Sequence, residues 1–367
     1  MNLEPSLVET ELLFTATASG LEAAAIRASE LLAAGQPVAL PTETVYGLAA
    51  DALRPEAAAK IFEAKERPFF DPLICHLPTL DWLDRLTKIP DESRPLVDAL
   101  TRRFWPGPLT LVLPRQPLAP DLVTAGLDTV AVRMSAHLVF QKVSQRFGRP
   151  LAAPSANRFG RISPTAAAHV LAELSGRIPL VLDGGPTQHG VESTIVAVEG
   201  GQARLLRAGP ITPEDLATAW KESRDAAGRP ATGEELSDFL ANLRRQPAQT
   251  PTGAAVEAPG NLASHYAPRT PMRLLSREAD FDATKPMASR VGFLAFRHVP
   301  AAGLFVVAEV LSPAGDLREA AAGLFAKLRR LDEAGVDLII AEPVPAEGLG
   351  IAIMDRLLKA SARTHPI

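Results

Sequence analysis

The chain has 367 residues, of which 47% are hydrophobic and 22% charged, with a formal net charge of -4. This length favours two domains, and the composition is that of an ordinary soluble globular protein. The slight excess of acidic residues argues against a globally basic nucleic-acid binder, although it leaves a local basic cleft open. Cys75 is the one cysteine, which excludes an intrachain disulfide and a cysteine-rich zinc site.

Neither a targeting segment nor a membrane span is expected from the sequence. The first residues, MNLEPSLVETELLF, lack the basic and long apolar segments of a signal peptide. No apolar run reaches the length that crosses a bilayer. The sequence therefore predicts a cytoplasmic protein with no membrane association.

The first part of the chain is predicted to be a mixed α/β domain that spans residues 1–215. Helices are predicted from helical spacing of apolar residues and from helix-starting prolines, at residues 21–34, 55–65, 82–86, 93–104 and 164–174. Strands are predicted from short apolar or β-branched runs, at residues 37–40, 109–114, 129–134, 179–185 and 193–199. Residues 202–209 return as the hairpin partner of the last strand across Gly200-Gly201.

A linker and a second domain are predicted beyond residue 215. Thr212-Pro213-Glu214-Asp215 has the residues of a helix start. Residues 216–268 then become rich in Pro, Gly, Thr and Ala, as in a linker, with one helix near 234–243. Over residues 269–367, apolar strands alternate with helices, which favours a small, largely parallel sheet.

Two cations near the end of the second helix indicate an anion-binding site. Lys65 and Arg67 are two residues apart, and Pro68 is expected to end the helix there. A solvated helix C-terminus would explain both cations through the helix dipole. It would not explain Asp71-Pro72 or His76, which lies nine residues beyond Arg67.

Further polar residues complete a predicted pocket for phosphate and carboxylate groups. Arg133 ends a strand, where its guanidinium either binds a carboxylate in a cleft or forms a strand-edge salt bridge. The small residues of 152–157 let backbone N–H groups approach a phosphate. Ser163 is predicted to cap the helix at 164–174, whose N-terminus also suits an anion. Other hydroxyls and cations join them: Thr42, Thr44, Ser155, Ser193, Thr194 and Arg207.

Four motifs in order resemble the YrdC-like threonylcarbamoyl-AMP synthase family. They are PTETVYGL (41–48), Lys65-x-Arg67, Ser155-x-Asn157 and Ser-Thr-Ile-Val (193–196), which together cover roughly residues 20–210. The tail, preceded by ASHYAP (263–268), resembles the two-domain members of that family. The resemblance implies a YrdC-like twisted mixed α/β domain, a linker that closes as a lid or serves as a plain spacer, and a smaller C-terminal Rossmann-like domain.

The resemblance also implies an activity. The family condenses L-threonine, bicarbonate or CO2, and ATP into threonylcarbamoyl-AMP and pyrophosphate, with Mg2+ held mainly by the ATP phosphates. A separate tRNA-modifying threonylcarbamoyl transferase complex uses the product on A37 of ANN-decoding tRNAs. We expect a carbamate of threonine to attack the α-phosphorus, with catalysis by positioning and charge stabilisation and no covalent enzyme intermediate.

Site residues follow from the same resemblance by position. Those implied around threonine are Thr44, His76, Arg133, Ala153 and Ser193. Those implied around the nucleotide are Arg67, Asp71, Thr129, Ser155, Ser163, Arg207 and Tyr266. Lys65 and Arg67 are the expected catalytic charges, whereas Asn157 lies nearby without an assigned role. Asp71 departs from the Asn that is more usual in the family, and its carboxylate would repel phosphates unless it binds Mg2+ or faces away.

Three other functions remain open at this stage. A YrdC-like surface could bind tRNA or other double-stranded RNA weakly, although two Tyr and 5% aromatic residues make a poor stacking platform. A carbamoyl-transferring domain of the hydrogenase-maturation type is disfavoured by the single cysteine. The second domain could also be a small-molecule sensor.

Overall fold

The computed structural model describes residues 8–244, 256–260, 265–276, 290–300 and 304–362. Within these residues there are two sheets, one of ten strands and one of four. The strands of the first sheet are β1 (Glu11–Phe14), β2 (Val38–Leu40), β3 (Gly47–Asp51), β4 (Ile74–His76), β5 (Leu109–Pro114), β6 (Thr129–Arg133), β7 (Leu151–Ala152), β8 (Leu180–Asp183), β9 (Thr194–Glu199) and β10 (Gln202–Arg207). The strands of the second sheet are β11 (Met272–Leu274), β12 (Val291–Ala295), β13 (Val307–Val310) and β14 (Leu338–Ala341).

Helices accompany both sheets. Before the second sheet they are α1 (Ala18–Ala33), α2 (Pro55–Lys65), α3 (Trp82–Leu86), α4 (Arg94–Phe104), α5 (Asp121–Thr124), α6 (Leu138–Phe147), α7 (Ala167–Leu174), α8 (Pro213–Ala226) and α9 (Gly233–Arg244). The second domain adds α10 (Leu317–Glu333) and α11 (Gly350–Ser361). None of the described helices is long and apolar enough to cross a membrane.

The first sheet is mixed and buries both of its faces. Its strand order is β1-β8-β2-β3-β7-β4-β6-β5-β9-β10. In β2, Val38 and Leu40 pack into a cluster with α1 and α6, whereas Ala39 between them packs into the larger cluster of the other face. Successive residues of a strand point to opposite faces of the sheet, and here both faces are covered by apolar side chains. Polar groups therefore lie mainly at the strand ends.

Strand pairing brings the ends of β4 and β6 together. The two strands are parallel neighbours, with His76 opposite Arg133. The predicted hairpin of β9 and β10 is confirmed, since the two strands are antiparallel and Gly200 and Gly201 adopt positive φ angles of 56° and 69°. The sequence prediction did not include strands β1, β3, β4 and β7 or helices α5 and α6.

The beginning of the predicted linker is folded onto the first domain. The helix start at residue 212 is confirmed, because the Thr212 hydroxyl accepts from the Asp215 N–H while the Asp215 carboxylate accepts from the Thr212 N–H. Trp220 of α8 stacks on Phe239 of α9 with ring centroids 4.6 Å apart, and both belong to the core of the first domain. The apolar residues of these two helices attach them to the first domain, although the composition around them resembles that of a linker. Pro259, Gly260, His265 and Tyr266 of the predicted linker line the cleft of the first domain, and residues 245–255 and 261–264 lie outside the described residues.

The second domain is a parallel sheet, as predicted. Its strand order is β11-β14-β12-β13, and each neighbouring pair is parallel. Leu324 and Leu328 of α10 and Ile353 and Leu357 of α11 form its buried core with the strands. The two-sheet α/β architecture predicted from the sequence is therefore confirmed.

Candidate functional site

A cleft opens where the β2–β3 turn meets the ends of β4, β6 and β7. Residues 259–260 and 265–266 form its cover. Nine of the residues implied by the sequence line it: Thr44, Arg67, His76, Arg133, Ala153, Ser155, Ser193, Arg207 and Tyr266. Lys65, Asp71, Thr129 and Ser163 do not line it.

Thr42 shapes the turn that presents Thr44. Its hydroxyl accepts from the N–H groups of Thr44 and Val45 at 3.1 and 3.2 Å and donates to the Val45 carbonyl at 2.6 Å. The hydroxyls of Thr42 and Thr44 are 2.8 Å apart. A side-chain hydroxyl that hydrogen-bonds to nearby backbone groups stabilises a tight turn. This turn faces the cleft.

Arg133 is held by a buried carboxylate that the sequence reasoning missed. Its Nη2 lies 2.5 Å from Glu43 Oε1, and its Nη1 donates to the Thr44 hydroxyl at 3.1 Å. Glu43 Oε2 also accepts from Ser135 Oγ at 2.5 Å. Burial alone raises the pKa of Glu43, but Arg133 and these hydrogen bonds outweigh it and lower the pKa to about 2. Glu43 lies inside the PTETVYGL motif, so its position beside Thr44 was the available signal.

His76 faces the cleft as a neutral imidazole. Burial and then the nearby Arg133 lower its pKa to about 3. Its ring packs against Phe140 with centroids 4.6 Å apart, and its Nδ1 has no hydrogen-bond partner among the described residues. A neutral ring with a free nitrogen suits hydrogen bonding to a polar ligand rather than anion binding.

Arg207 joins the β9 strand to the cover of the cleft. Its Nη2 donates to Ser193 Oγ and to the Ser193 carbonyl, both at 3.0 Å, and its Nη1 donates to the Pro259 carbonyl at 3.1 Å. Ser193 Oγ lies 2.8 Å from Thr110 Oγ1. The Arg207 guanidinium thus holds both Ser193 and the Pro259 carbonyl of the cover.

Arg67 is anchored by Asp71, which does not face the cleft. Arg67 Nη2 lies 2.9 Å from an Asp71 carboxylate oxygen and 2.9 Å from the Pro72 carbonyl. Burial raises the pKa of the Asp71 carboxyl, while Arg67 and Lys65 oppose the rise. The expected conflict between Asp71 and a phosphate is avoided because this carboxylate lies behind Arg67.

Lys65 is buried beneath the cleft wall. Its ammonium donates to the carbonyls of Ser155 and Asn157, both at 2.5 Å. Burial and the neighbouring Arg67 lower its pKa to about 7. The Asn157 amide donates to the carbonyls of Arg158 and Arg161 at 2.9 Å, which gives Asn157 a role in shaping this loop.

Ser163 is not a helix cap, contrary to the sequence prediction. Helix α7 begins at Ala167, and Ala166 in the cap position has an extended backbone. The Ser163 hydroxyl instead donates to Glu192 Oε1 at 2.5 Å. Glu192 lines the cleft and was also missed, although it directly precedes the predicted Ser193. Thr129 is half-buried at the start of β6.

Tyr266 packs at the centre of the covering segment. Its side chain is buried, its φ angle of 64° is left-handed, and its hydroxyl has no hydrogen-bond partner among the described residues. The Ala267 N–H donates to the Gly160 carbonyl at 2.9 Å, and the Phe325 ring of α10 stacks 5.6 Å away. The segment is therefore held by both domains.

The described residues do not form a protein-borne metal site. They contain no cluster of three or more His, Cys, Asp or Glu side chains suited to a metal ion. The cleft carboxylates Glu43 and Glu192 are ion-paired to Arg133 and Arg356.

Two family models match the chain. The model described as "Telomere recombination" matches residues 30–209, and the model described as "Threonylcarbamoyl-AMP synthase, C-terminal domain" matches residues 214–362. Together the two matches include every strand of the two sheets except β1.

Characterised relatives match over nearly the same length. The threonylcarbamoyl-AMP synthase of Pyrococcus abyssi is 40% identical over 340 residues, which cover 89% of this chain and 91% of that protein. The Bacillus subtilis protein of that name is 40% identical over 345 residues, covering 91% and 92%. The crystal structure of P. abyssi Sua5 complexed with L-threonine matches with a TM-score of 0.80 and 36% identity, covering 96% of this chain and 97% of that one.

Proposed function

The chain belongs to the threonylcarbamoyl-AMP synthase family, and from this premise we propose how its cleft divides the reaction. The enzyme forms threonylcarbamoyl-AMP from L-threonine and ATP, a nucleotidyl transfer that serves tRNA threonylcarbamoylation. One observation supports the division most directly. Arg133, at the end of β6, and Arg67, just after helix α2, line the same cleft, and each is anchored by its own buried carboxylate.

The threonine half of the cleft is formed around Arg133. Its guanidinium is directed by Glu43 and donates toward Thr44, where a substrate carboxylate and hydroxyl can be bound. The neutral His76, Ala153 and Ser193 complete this half. An uncharged imidazole lets the threonine amine approach without repulsion between cations.

The nucleotide half contains Arg67, Ser155, Arg207 and Tyr266. Arg67 and Arg207 supply positive charge for the triphosphate, and Tyr266 covers the nucleotide. Mg2+ enters as the ATP complex. Asp71 acts by orienting Arg67. Thr129 and Ser163 support the nucleotide half from positions outside the cleft lining. Lys65 supplies positive charge and also holds the 155–157 loop.

The third substrate is bicarbonate or CO2. The threonine amine attacks CO2 and loses a proton to water, which gives a carbamate. A carbamate oxygen then attacks the α-phosphorus of ATP in line, and pyrophosphate leaves. The side chains contribute by positioning and by stabilising charge in a site from which water is excluded. The covering segment around Tyr266 acts as the lid that protects the adenylate.

We propose that the product is passed to a tRNA-modifying threonylcarbamoyl transferase complex that acts on A37 of ANN-decoding tRNAs, and that the enzyme works in the cytoplasm. The sequence also leaves open weak direct binding of tRNA or double-stranded RNA. This binding is tested by salt-dependent tRNA binding in the absence of substrates.

The function is tested by product analysis. The full chain is incubated with ATP, threonine, bicarbonate and Mg2+, and threonylcarbamoyl-AMP is measured by mass spectrometry. Serine in place of threonine is the specificity control. Omitting bicarbonate should abolish the product, whereas AMP formation that ignores both threonine and bicarbonate would contradict the proposal.

We expect Lys65→Ala and Arg67→Ala to lower threonine- and bicarbonate-dependent pyrophosphate release by about 30-fold to 1,000-fold, since each removes about 2–4 kcal/mol of transition-state stabilisation. Lys60→Ala, on the same helix α2 but outside the cleft lining, is the matched control. Wild-type rates in both site variants would rule out the assigned charge roles.

A further inference from the structure

The second domain reaches the cleft wall through one arginine. Arg356 of α11 is fully buried, with 0% of its surface exposed. Its Nε donates to Glu192 Oε2 at 2.9 Å, and Ser163 Oγ donates to the other oxygen of the same carboxylate at 2.5 Å. Glu192 lines the cleft next to Ser193, so a side chain of the second domain lies one contact away from the substrates.

The same helix also holds the cover of the cleft. Arg356 Nη1 lies 2.7 Å from Asp355 Oδ2, and Asp355 pairs with Lys359 at 2.8 Å. Lys359 Nζ donates to the Gly260 carbonyl at 2.8 Å. The Arg356 guanidinium carbon also lies 5.2 Å from the centre of the Tyr266 ring. Helix α11 thus contacts both the wall and the lid.

Glu192 poses an electrostatic problem for a nucleotide site. Burial alone raises its pKa, but Arg356 and then Arg207 outweigh that effect and hold the pKa below its usual value. The group is therefore a carboxylate in a cleft that must accept a triphosphate. Without Arg356, the Glu192 carboxylate would repel a phosphate group, or it would attract Arg207 away from Ser193.

We propose that Arg356 is a positioning residue through which the second domain completes the nucleotide half of the cleft. It neutralises and fixes Glu192, which leaves Arg207 in place for the substrate. The inference rests on the proposed function of the cleft and extends it to the second domain. In the cleft formed by the first domain alone, Glu192 would lack its ion-pair partner.

The test is a comparison of Michaelis constants in the full-length enzyme. We expect R356Q to raise the KM for ATP about tenfold or more, because a buried carboxylate loses its partner. The KM for threonine should change less than about twofold, since Arg133 and Glu43 are untouched. In E192Q/R356Q, where the carboxylate is also removed, the KM for ATP should return to within about threefold of the wild type.

Arg329 provides a matched control between the same two domains. Its Nη2 pairs with Glu173 at 2.7 Å and donates to the Ile162 carbonyl, and neither partner lines the cleft. R329Q should lower the thermal unfolding temperature without changing either KM. If R329Q raises the KM for ATP as much as R356Q does, or if the double variant does not recover, the inference is wrong.

A conservative variant keeps the test decisive if R356Q does not fold. R356K retains the positive charge on a side chain of different length and geometry. It should raise the KM for ATP a few fold while the KM for threonine stays constant. An equal rise in both constants would overturn the inference. Wild-type protein that makes no threonylcarbamoyl-AMP would contradict the family function itself, whereas an active wild type with an unchanged R356Q would contradict only the role of Arg356.

Discussion

Individual side chains in this cleft act in pairs, and the partner decides what each charge does. Arg133 is directed by Glu43 and Arg67 by Asp71, with nitrogen–oxygen distances of 2.5 and 2.9 Å. The motif KxR is conspicuous because core packing does not explain two cations two residues apart. The carboxylates that orient such cations look ordinary in the sequence, and only their burial beside a guanidinium reveals their role.

The first residue-scale prediction concerns Glu43→Gln, which leaves Arg133 without a charged partner. We expect a loss of about 3–5 kcal/mol in the free energy of unfolding at neutral pH, as for other broken buried pairs. The measurement is urea unfolding. Glu22→Gln is the control, because Glu22 forms only exposed pairs with Lys142 and Arg146.

The same variant has a defined pH dependence. The pKa of Glu43 is about 2 in the folded protein and 4.5 when unperturbed. Its ion pair therefore contributes stability that is fully present above about pH 4.5 and is lost as the pH falls toward 2. The stability difference between wild type and Glu43→Gln should shrink across this window, and a difference independent of pH would contradict the assignment.

At the scale of elements, local signals account for the helix starts, whereas core packing decides which helices belong to a domain. The capping residues of α8 follow directly from Thr212 and Asp215. The attachment of α8 and α9 to the first sheet depends instead on the packing of Trp220 and Phe239. A composition rich in Pro, Gly and Ala does not indicate whether two aromatic side chains pack together in a core.

Removal of the α8 cap should have a measurable cost. We expect Thr212→Ala to lower the free energy of unfolding by about 1 kcal/mol, because the Asp215 N–H loses its acceptor. Thr218→Ala on the exposed face of the same helix is the control and should change stability by less than about 0.5 kcal/mol. Equal effects in the two variants would show that the cap does not stabilise the helix.

For the whole molecule, the important feature is that the two domains share one cleft. Helix α11 contacts Glu192 and Gly260, and Phe325 of α10 stacks on Tyr266. The domains also meet at Gly190, where the backbone of α10 approaches so closely that no side chain fits. The relative position of the domains therefore controls the geometry of the lid.

Gly190→Ala should disturb this contact. A Cβ atom there would collide with the backbone of Ala321 and Ala322, and the φ angle of 70° adds strain. Gly185→Ala has a similar φ of 82° but open space around the Cβ position, so it isolates the strain alone. We expect about 1–3 kcal/mol of destabilisation for Gly185→Ala and more for Gly190→Ala. The readouts are urea unfolding and small-angle scattering, which should show separated domains only for Gly190→Ala.

The sequence by itself determined the α/β class, the parallel second sheet, the β9–β10 hairpin and the family, because each depends on local periodicity, turn residues or motifs. It also identified most residues that line the cleft, including Arg133, Ser193 and Tyr266. It could not find Glu43 and Glu192 as partners, the burial of Lys65, the orientation of Asp71 or the contribution of Arg356. These features depend on contacts between residues far apart in the chain, whose burial and charge pairing exist only in the folded protein.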